Sequence, residues 1–423
     1  MIALVDCNNF YASCEIIFNP SIKNRPIIVL SNNDGCVIAR SNSSKKLGIK
    51  MGVPVFKIKK IKEKFDVIVF SSNFTLYGDI SNRIMSIISS LFPKVEIYSV
   101  DEAFIDLSLV PYEKIIESTT QLKNMIKQYT GIPVSIGISS TKTLAKVANI
   151  EAKKNSLYNG VFMLNNEQDI DAVLSKLDVE KVWGIGRRSS ILLKYYGVRT
   201  AFNLKKTNSK WIKKHLTVKG LLTVKELNGE KCIDFQYSKI QKKSIRTSRS
   251  FLTEIYDLAV LERYIAMFAE RCSEKLRKDS LLSKKVSVFL QTNYFKKGST
   301  RYFNTSSRNL DDPTSSSIDI IKHSLACMRA IYRSSLGYKK GGVILSSIVN
   351  ENNVQGNLFS NVEDSLKQKK IMSSIDSIKS RMGRDSIRHA VQGRKNIKIN
   401  KKSLSLCYTT NWNDIFTINI NAN

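Results

Sequence analysis

The sequence predicts a multidomain fold of the α/β (α+β) class. Apolar segments of strand length alternate with segments of helical length and spacing along most of the chain, which is typical of sheets covered by helices. At 423 residues the chain is long enough for several domains, since one domain usually takes about 100–200 residues. A hydrophobic fraction of 42% is ordinary for globular proteins and allows sizeable cores.

The predicted elements divide the chain into four regions. Up to about residue 165, the candidate strands are 2–5, 27–30, 67–70, 95–98, 104–107 and 134–138, and the clearest helices are 75–91 and 112–129. Residues from about 170 to 230 form short helices around a Gly-x-Gly turn. After a basic linker at 239–243, a second α/β region has helices at 258–278 and 318–332 and strands at 286–291 and 342–348. The remaining tail is polar, and we expect it to be partly disordered.

The charge of the chain points to a polyanionic partner. The net charge is +31 and the pI is near 9.8, so nucleic acid is the first candidate and a membrane surface the second. No apolar run is long enough for a transmembrane helix, and no secretory signal is evident. Seven scattered cysteines without a Cys-x-x-Cys pair, together with only three histidines, favour reduced thiols in the cytoplasm and argue against a zinc site.

Two acidic patches, far apart in the sequence, carry the clearest chemical signal. Asp6 ends a buried strand, and the adjacent pair Asp101 and Glu102 has the position of a tight β-hairpin link. If the two sheet edges are neighbours, three carboxylates converge and require hard cations such as Mg²⁺. This arrangement predicts phosphoryl transfer with two metal ions. The alternative is that Asp6 caps a helix and the pair is a solvated turn.

Side chains near these acids indicate a nucleotide site. Tyr11 lies five residues beyond Asp6 at the start of a predicted helix, where it could touch a substrate sugar or be a core aromatic. A second helix follows strand 134–138 and carries Lys142, Lys146 and Lys153 close to one face. Such lysines at a helix N-terminus suit a triphosphate and a nucleic-acid backbone, although a solvated face gives the same pattern.

The segment 182–188 is similar to the hairpin of a helix-hairpin-helix motif. Gly184 and Gly186 would let backbone N–H groups approach a phosphate, and Arg187 and Arg188 add charge without reading bases. The alternative is a plain turn between helices.

In combination and order, these motifs resemble those of the Y-family translesion DNA polymerases. The matching segments are Asp6 with 10–12, 99–104, the lysine-bearing helix and the glycine hairpin. Segments 31–40 and 70–73 are similar to the UmuC type, the catalytic subunit of bacterial DNA polymerase V and its plasmid-borne relatives. The resemblance implies a right-hand polymerase with a palm at 1–12 and 71–165, fingers at 13–70, a helical thumb at 166–238, a little finger at 244–350 and a tail at 351–423.

The resemblance also implies roles for individual residues. Asp6, Asp101 and Glu102, with the carbonyl of Cys7, would bind two Mg²⁺ ions. Tyr11 would be the steric gate that rejects ribonucleotides. The residues that would contact the triphosphate are Lys153, Lys45 and Asn42, the last two replacing a Tyr-x-x-Arg pattern common in relatives. The residues that would contact primer-template DNA are Lys142, Lys146, Gly184, Gly186, Arg187, Arg188, Arg246 and Arg249.

The resemblance extends to partners. Gln355, Leu358 and Phe359 resemble the short peptide by which bacterial polymerases bind the sliding clamp. The family further implies a dimer of a processed UmuD-type protein and activation by the RecA filament, with a cytoplasmic enzyme that acts at the nucleoid and has no membrane partner. Two other functions remain as alternatives: a palm-type nucleotidyl cyclase, which needs no glycine hairpin, and a non-catalytic DNA-binding scaffold, which needs no carboxylate cluster.

Overall fold

The computed structural model describes residues 1–237, 241–296, 298, 300–353, 362–393 and 401–415. The chain forms two compact units, one comprising Met1–Lys239 with Lys401–Asn423 and the other Ile240–Asn400. Among the described residues, no helix combines the length and the apolar character needed to span a bilayer.

A five-stranded sheet is the centre of the first unit. Its strand order is β5-β6-β1-β7-β8, and the strands are β1 (Ile2–Cys7), β5 (Val95–Ile97), β6 (Glu102–Asp106), β7 (Val134–Ser139) and β8 (Val161–Leu164). β1 pairs antiparallel with both β6 and β7. It is buried on both faces, which explains why its sequence is a continuous apolar run rather than an alternating pattern.

Helices cover both faces of this sheet. The helices of the first unit are α1 (Phe10–Phe18), α2 (Asn42–Lys46), α3 (Lys59–Lys64), α4 (Phe74–Leu91), α5 (Ile115–Thr130), α6 (Lys142–Lys154), α7 (Glu167–Lys176), α8 (Arg187–Tyr195), α9 (Ala201–Lys205) and α10 (Ser209–Leu227). Ala3 and Val5 face a core formed with α4 and α5, whereas Ile2 and Leu4 pack with Ala145 of α6. This division follows from the alternation of side chains along a strand.

A smaller three-stranded sheet lies between α1 and α4 in the chain. Its order is β3-β2-β4, with β2 (Ile27–Leu30), β3 (Val37–Arg40) and β4 (Ile68–Ser71). Ile28, Leu30 and Val37 form a separate small core. Helices α7 to α10 form a further helical cluster with its own core, which includes Val182 and Ile185 of the glycine hairpin.

The second unit contains an antiparallel sheet of order β11-β10-β12-β9. Its strands are β9 (Ser244–Ile255), β10 (Leu281–Thr292), β11 (Phe303–Thr314) and β12 (Tyr338–Asn350). α11 (Leu258–Lys278) and α12 (Ser317–Ile331) pack on one face, and the apolar residues of the strands form the core beneath them. α13 (Val362–Met382) is joined to α11 through the ion pairs of Arg277 with Asp376 and of Lys379 with Glu270.

The structure confirms the predicted fold class and corrects several elements. The sequence pattern did not indicate β3, β8, β9 or β11. β9 and β11 were missed because they consist largely of Ser, Thr, Arg and Asn on a half-exposed sheet. The described part of the tail contains α13 and a segment at 401–415 that belongs to the first unit, and the partial disorder expected for the tail stays a prediction. The predicted palm, fingers, thumb and little-finger boundaries stay predictions.

Candidate active site

Pairing between β1 and β6 brings the two acidic patches together. Asp6 lies directly opposite Glu102 in the antiparallel register. The backbone N–H of Cys7 donates to the carbonyl of Asp101 at 2.8 Å, so the hairpin link continues the pairing by one residue. The three carboxylates therefore share one sheet edge, as predicted from the sequence.

Lysines of α6 neutralise two of these acids. Lys153 Nζ is 2.6 Å from Asp6 Oδ2, and Lys146 Nζ is 2.8 Å from Glu102 Oε2. Asp101 Oδ1 accepts a hydrogen bond from Ser99 Oγ at 2.5 Å. Each of the three carboxylates thus accepts a hydrogen bond or an ion pair. The two lysine ammonium groups supply positive charge directly beside Asp6 and Glu102.

The electrostatics of the cluster fit a hard divalent cation. Burial raises the pKa of Asp6 to about 7, with Glu102 adding to the rise and Lys153 opposing it. In the conformation described here, no group of three or more His, Cys, Asp or Glu among the described residues is arranged to hold a metal ion. The donor set is nevertheless all oxygen and carries more negative charge than two lysines balance, which is the chemistry that Mg²⁺ prefers.

Tyr11 lies beside the cluster on the first turn of α1. Its ring stacks on that of Tyr77, with centroids 4.5 Å apart and planes at 16°, and meets Phe74 edge-on at 5.9 Å. The Tyr11 side chain is only partly buried. Burial is the main cause that raises its pKa, and the negative charge of Asp101 contributes to the rise. Tyr11 also packs against the core of the first unit, and its remaining exposure leaves the side chain partly accessible near Asp101.

The candidate triphosphate residues approach the cluster from α2. Asn42 Oδ1 accepts a hydrogen bond from Asn9 Nδ2 at 3.0 Å. Burial lowers the pKa of Lys45, and repulsion from Arg40 and Lys153 adds to this effect. The negative charge of Asp6 opposes this lowering, and the role of Lys45 and Lys153 at one triphosphate stays a prediction.

Lys142 contradicts the prediction that three lysines form one exposed face. Its side chain is 1% exposed, and its Nζ is 2.5 Å from Glu96 Oε2 and 2.8 Å from the carbonyl of Asp234. The loop before residue 238 covers it, with the ring of Phe235 at 4.6 Å. Lys142 is thus a buried ion-pair partner that cannot reach DNA in this structure.

Three aromatic rings that the sequence did not indicate surround Lys146. Its Nζ lies 4.7 Å from the ring centroid of Tyr98, 5.6 Å from Phe104 and 5.5 Å from Trp183. Trp183 Nε1 also donates to the Tyr98 hydroxyl at 3.1 Å. The aromatic cluster links the glycine hairpin to the acidic hairpin, and only the position of Trp183 next to Gly184 could have suggested it.

The glycine hairpin has an exposed, cationic tip. Gly184 has φ +88°, a conformation that favours glycine, and Gly186 is the N-cap of α8. Arg187 and Arg188 begin α8 and are exposed, whereas Ile185 is buried. Backbone N–H groups and guanidinium groups thus share one surface.

The two candidate arginines of the second unit lie on opposite faces of its sheet. Arg246 is on the face without helices, exposed, with its guanidinium carbon 4.4 Å from the centroid of Phe289. Arg249 lies four residues after the core residue Ile245 on β9, so the two side chains point to the same face of the sheet. Burial lowers the pKa of Arg249, and the charge of Arg271 contributes to this lowering to a smaller extent. The prediction for Arg246 stands, but Arg249 does not share its surface. The clamp motif at Gln355, Leu358 and Phe359 lies outside the described residues.

Comparison with known families covers most of the chain. Residues 5–149 match the IMS family, described as the impB/mucB/samB family, and residues 242–358 match the C-terminal domain of that family. Residues 369–418 match a domain of unknown function, DUF4113.

Related proteins match over nearly the full length. Protein ImpB of Salmonella typhimurium is 38% identical over 98% of this chain and 99% of its own, and protein UmuC of the same species is 37% identical over 99% and 100%. DNA polymerase IV of Sulfurisphaera tokodaii is 28% identical over 72% of this chain and 100% of its own.

Solved structures share the fold. A Y-family DNA polymerase chimera of Dbh and Dpo4 has a TM-score of 0.69 and 22% identity, and covers 83% of this chain and 100% of its own. The insertion ternary complex of Dbh DNA polymerase has a TM-score of 0.54 at 22% identity, over the same shares of the two chains, 83% and 100%.

Proposed function

The chain belongs to the impB/mucB/samB family of translesion DNA polymerases, and we propose that its catalytic centre is the carboxylate cluster of Asp6, Asp101 and Glu102. It is a DNA-directed DNA polymerase of the error-prone UmuC type, which adds dNTPs to a primer opposite a template. The observation that carries the proposal is the register that places Asp6 opposite Glu102, with Asp101 adjacent.

The three carboxylates and the carbonyl of Cys7 would hold two Mg²⁺ ions. When bound, such ions activate the primer 3′-hydroxyl and stabilise the pyrophosphate leaving group. The relatives support the use of a divalent metal, and the number of two is our proposal. Cation binding to Asp6 and Glu102 would free Lys153 and Lys146 from their present ion pairs.

The side chains of the site would then bind and select the nucleotide. Lys153 and Lys45 would contact the triphosphate, with Asn42 beside them. Tyr11 would lie under the sugar, where its ring would collide with a 2′-hydroxyl. This assignment is supported by the partial exposure of Tyr11 and its position beside Asp101.

DNA binding would use surfaces that contact phosphates rather than bases. The exposed N–H groups at Gly184 and Gly186, with Arg187 and Arg188, suit one stretch of backbone, and Arg246 suits another. Lys146 pairs with Glu102 at the acid cluster, and it would contact DNA once a cation has replaced it at that carboxylate.

Proposed partners follow from the family. They are the sliding clamp, bound through the motif at 355–359, a processed UmuD-type dimer and the RecA filament. We also propose a cytoplasmic location, at the nucleoid during synthesis, because the proposed substrate is primer-template DNA.

Primer extension opposite an abasic site tests the proposed centre. Glu102→Ala should abolish extension while primer-template binding is retained, because phosphate contacts outside the cluster supply the affinity. The control is Glu113→Ala, which removes an exposed acid that is not part of the cluster. Extension by the Glu102 variant at the rate of the control would reject the assignment, and failure of the unaltered chain to extend any primer would favour the scaffold.

The gate assignment has its own test. Tyr11→Ala should raise the ratio of kcat/KM for a ribonucleotide to that for a deoxyribonucleotide, because steric exclusion acts on one sugar only. An equal loss for both nucleotides would instead mean that Tyr11 only supports the fold.

A further inference from the structure

The C-terminal segment 401–408, which we call the C-terminal strap, contacts α1, which carries Tyr11, and the N-terminal end of α4, which carries the aromatic neighbours of Tyr11. Ser403 extends the edge of β4: its carbonyl accepts from the Ser71 N–H at 2.8 Å, and its N–H donates to Ser71 Oγ at 3.1 Å. Tyr408 stacks on Phe18 of α1 with ring centroids 4.7 Å apart. The strap thus contacts both β4 and α1.

Asn73 joins the strap to the first turn of α4. As the N-cap, its Oδ1 accepts from the Leu76 N–H at 3.2 Å. Its Nδ2 donates to the carbonyls of Ser405 at 3.1 Å and Leu406 at 3.2 Å. The turn that Asn73 caps carries Phe74 and Tyr77, which are the two aromatic neighbours of Tyr11 on α4.

A second connection runs through Glu15. Tyr77 donates its hydroxyl to Glu15 Oε1 at 2.5 Å, and Ser405 Oγ donates to the same oxygen at 3.1 Å. Glu15 is 2% exposed and Tyr77 is 1% exposed, so neither hydrogen bond can be replaced readily by bulk water. Glu15 follows Tyr11 by four residues on α1, which places the two side chains on one face of the helix.

We propose that Ser405 of the C-terminal strap is a positioning residue for the steric gate. By holding Glu15 and Asn73, it fixes Tyr77, and the stacked Tyr77 ring fixes Tyr11. The strap therefore sets how strictly the enzyme selects deoxyribonucleotides, which gives a role to part of the region matched by the domain of unknown function. This inference rests on the proposed role of Tyr11 as the gate.

The test compares Ser405→Ala with Ser403→Ala in the full chain. Ser405→Ala removes the hydroxyl that bonds Glu15, whereas Ser403 contributes backbone contacts that alanine retains. The loss of one hydrogen bond to the buried Glu15 should displace the Tyr11 ring only partly. We therefore expect Ser405→Ala to raise the ratio of kcat/KM for a ribonucleotide to that for a deoxyribonucleotide roughly three- to tenfold. Ser403→Ala should leave that ratio unchanged.

Three further variants separate the possible failures. In a Tyr11→Ala background, Ser405→Ala should have no additional effect on the ratio, and Glu15→Gln, which keeps an acceptor, should change it less than Glu15→Ala. The inference is wrong, and the role of Tyr11 as the gate is retained, if Tyr11→Ala raises the ratio but Ser405→Ala leaves it unchanged. The same conclusion holds if Ser405→Ala lowers kcat/KM equally for both nucleotides. If Tyr11→Ala leaves the ratio unchanged, the gate itself is wrong and the inference falls with it.

Discussion

Replacement of Lys142 by methionine should destabilise the first unit without weakening its contacts with DNA. The 2.5 Å pair with Glu96 is enclosed, with Lys142 1% and Glu96 10% exposed at the side chain. Methionine keeps most of the stem volume but leaves the Glu96 carboxylate with the Gln236 N–H at 2.9 Å as its other described donor. Removal of one partner from a buried ion pair costs about 3–5 kcal/mol, and we expect a loss of that size.

Denaturant unfolding followed by tryptophan fluorescence can measure this loss in the intact protein. All three tryptophans, Trp183, Trp211 and Trp412, belong to the first unit, so their emission reports on that unit. The double variant Lys142→Met with Glu96→Gln should recover much of the stability, because a neutral pair leaves no buried charge.

The same variant separates burial from DNA binding. If Lys142 contacts a phosphate, Lys142→Met should reduce the slope of the logarithm of the DNA-binding constant against the logarithm of the salt concentration by about 0.9 on duplex DNA. If Lys142 is buried, the substitution should leave this slope unchanged. A Lys142→Met protein with unaltered stability and a smaller salt slope would refute the reasoning.

Three other predictions follow from the site and its surroundings. Replacement of Gln355, Leu358 and Phe359 by alanine should spare the extension of short primers but remove stimulation by a loaded clamp, because the affinity of such a motif resides in a few side chains. Undiminished stimulation of the triple variant would contradict the assignment of the motif. Arg187→Ala with Arg188→Ala should reduce the salt slope of DNA binding by about 0.9 for each phosphate that is no longer neutralised, and an unchanged slope would remove the hairpin from the interface. The raised pKa of Asp6, about 7, means that this carboxyl stabilises the metal-free fold at low pH and that the contribution is lost as the pH rises towards 7. Added Mg²⁺ should therefore raise the melting temperature more at pH 8 than at pH 6, and Asp6→Asn should abolish the difference.

Local patterns were sufficient to place the three candidate metal ligands at a strand end and in a hairpin link. A carboxylate at the end of a buried strand and a pair of acids in a hairpin link are signals carried by a few consecutive residues, and both elements form as predicted. The helix with Lys146 and Lys153 was also predictable, since its spacing and its Thr141 N-cap are local. Tyr11 could be placed near the acids for the same reason.

Local patterns were insufficient where a distant segment decides the environment. Helical spacing put Lys142 on the same face as Lys146, but Lys142 pairs with the buried Glu96, and the loop at 230–237 covers it. The strap shows the same limit, because nothing near Ser405 in the sequence indicates a partner such as Glu15, 390 residues away.

The sequence by itself therefore determined the fold class, the positions of the three acids at a strand end and in a hairpin link, and the residue types of a candidate nucleotide site. These depend on strand and helix periodicity and on turn chemistry, which act over a few residues. Only the tertiary structure decided the register that sets Asp6 opposite Glu102, the burial of Lys142 and the contacts of the strap with α1 and α4. Their physical reason is that burial and hydrogen-bond pairing depend on which surfaces meet in space, and segments far apart in the chain supply those surfaces.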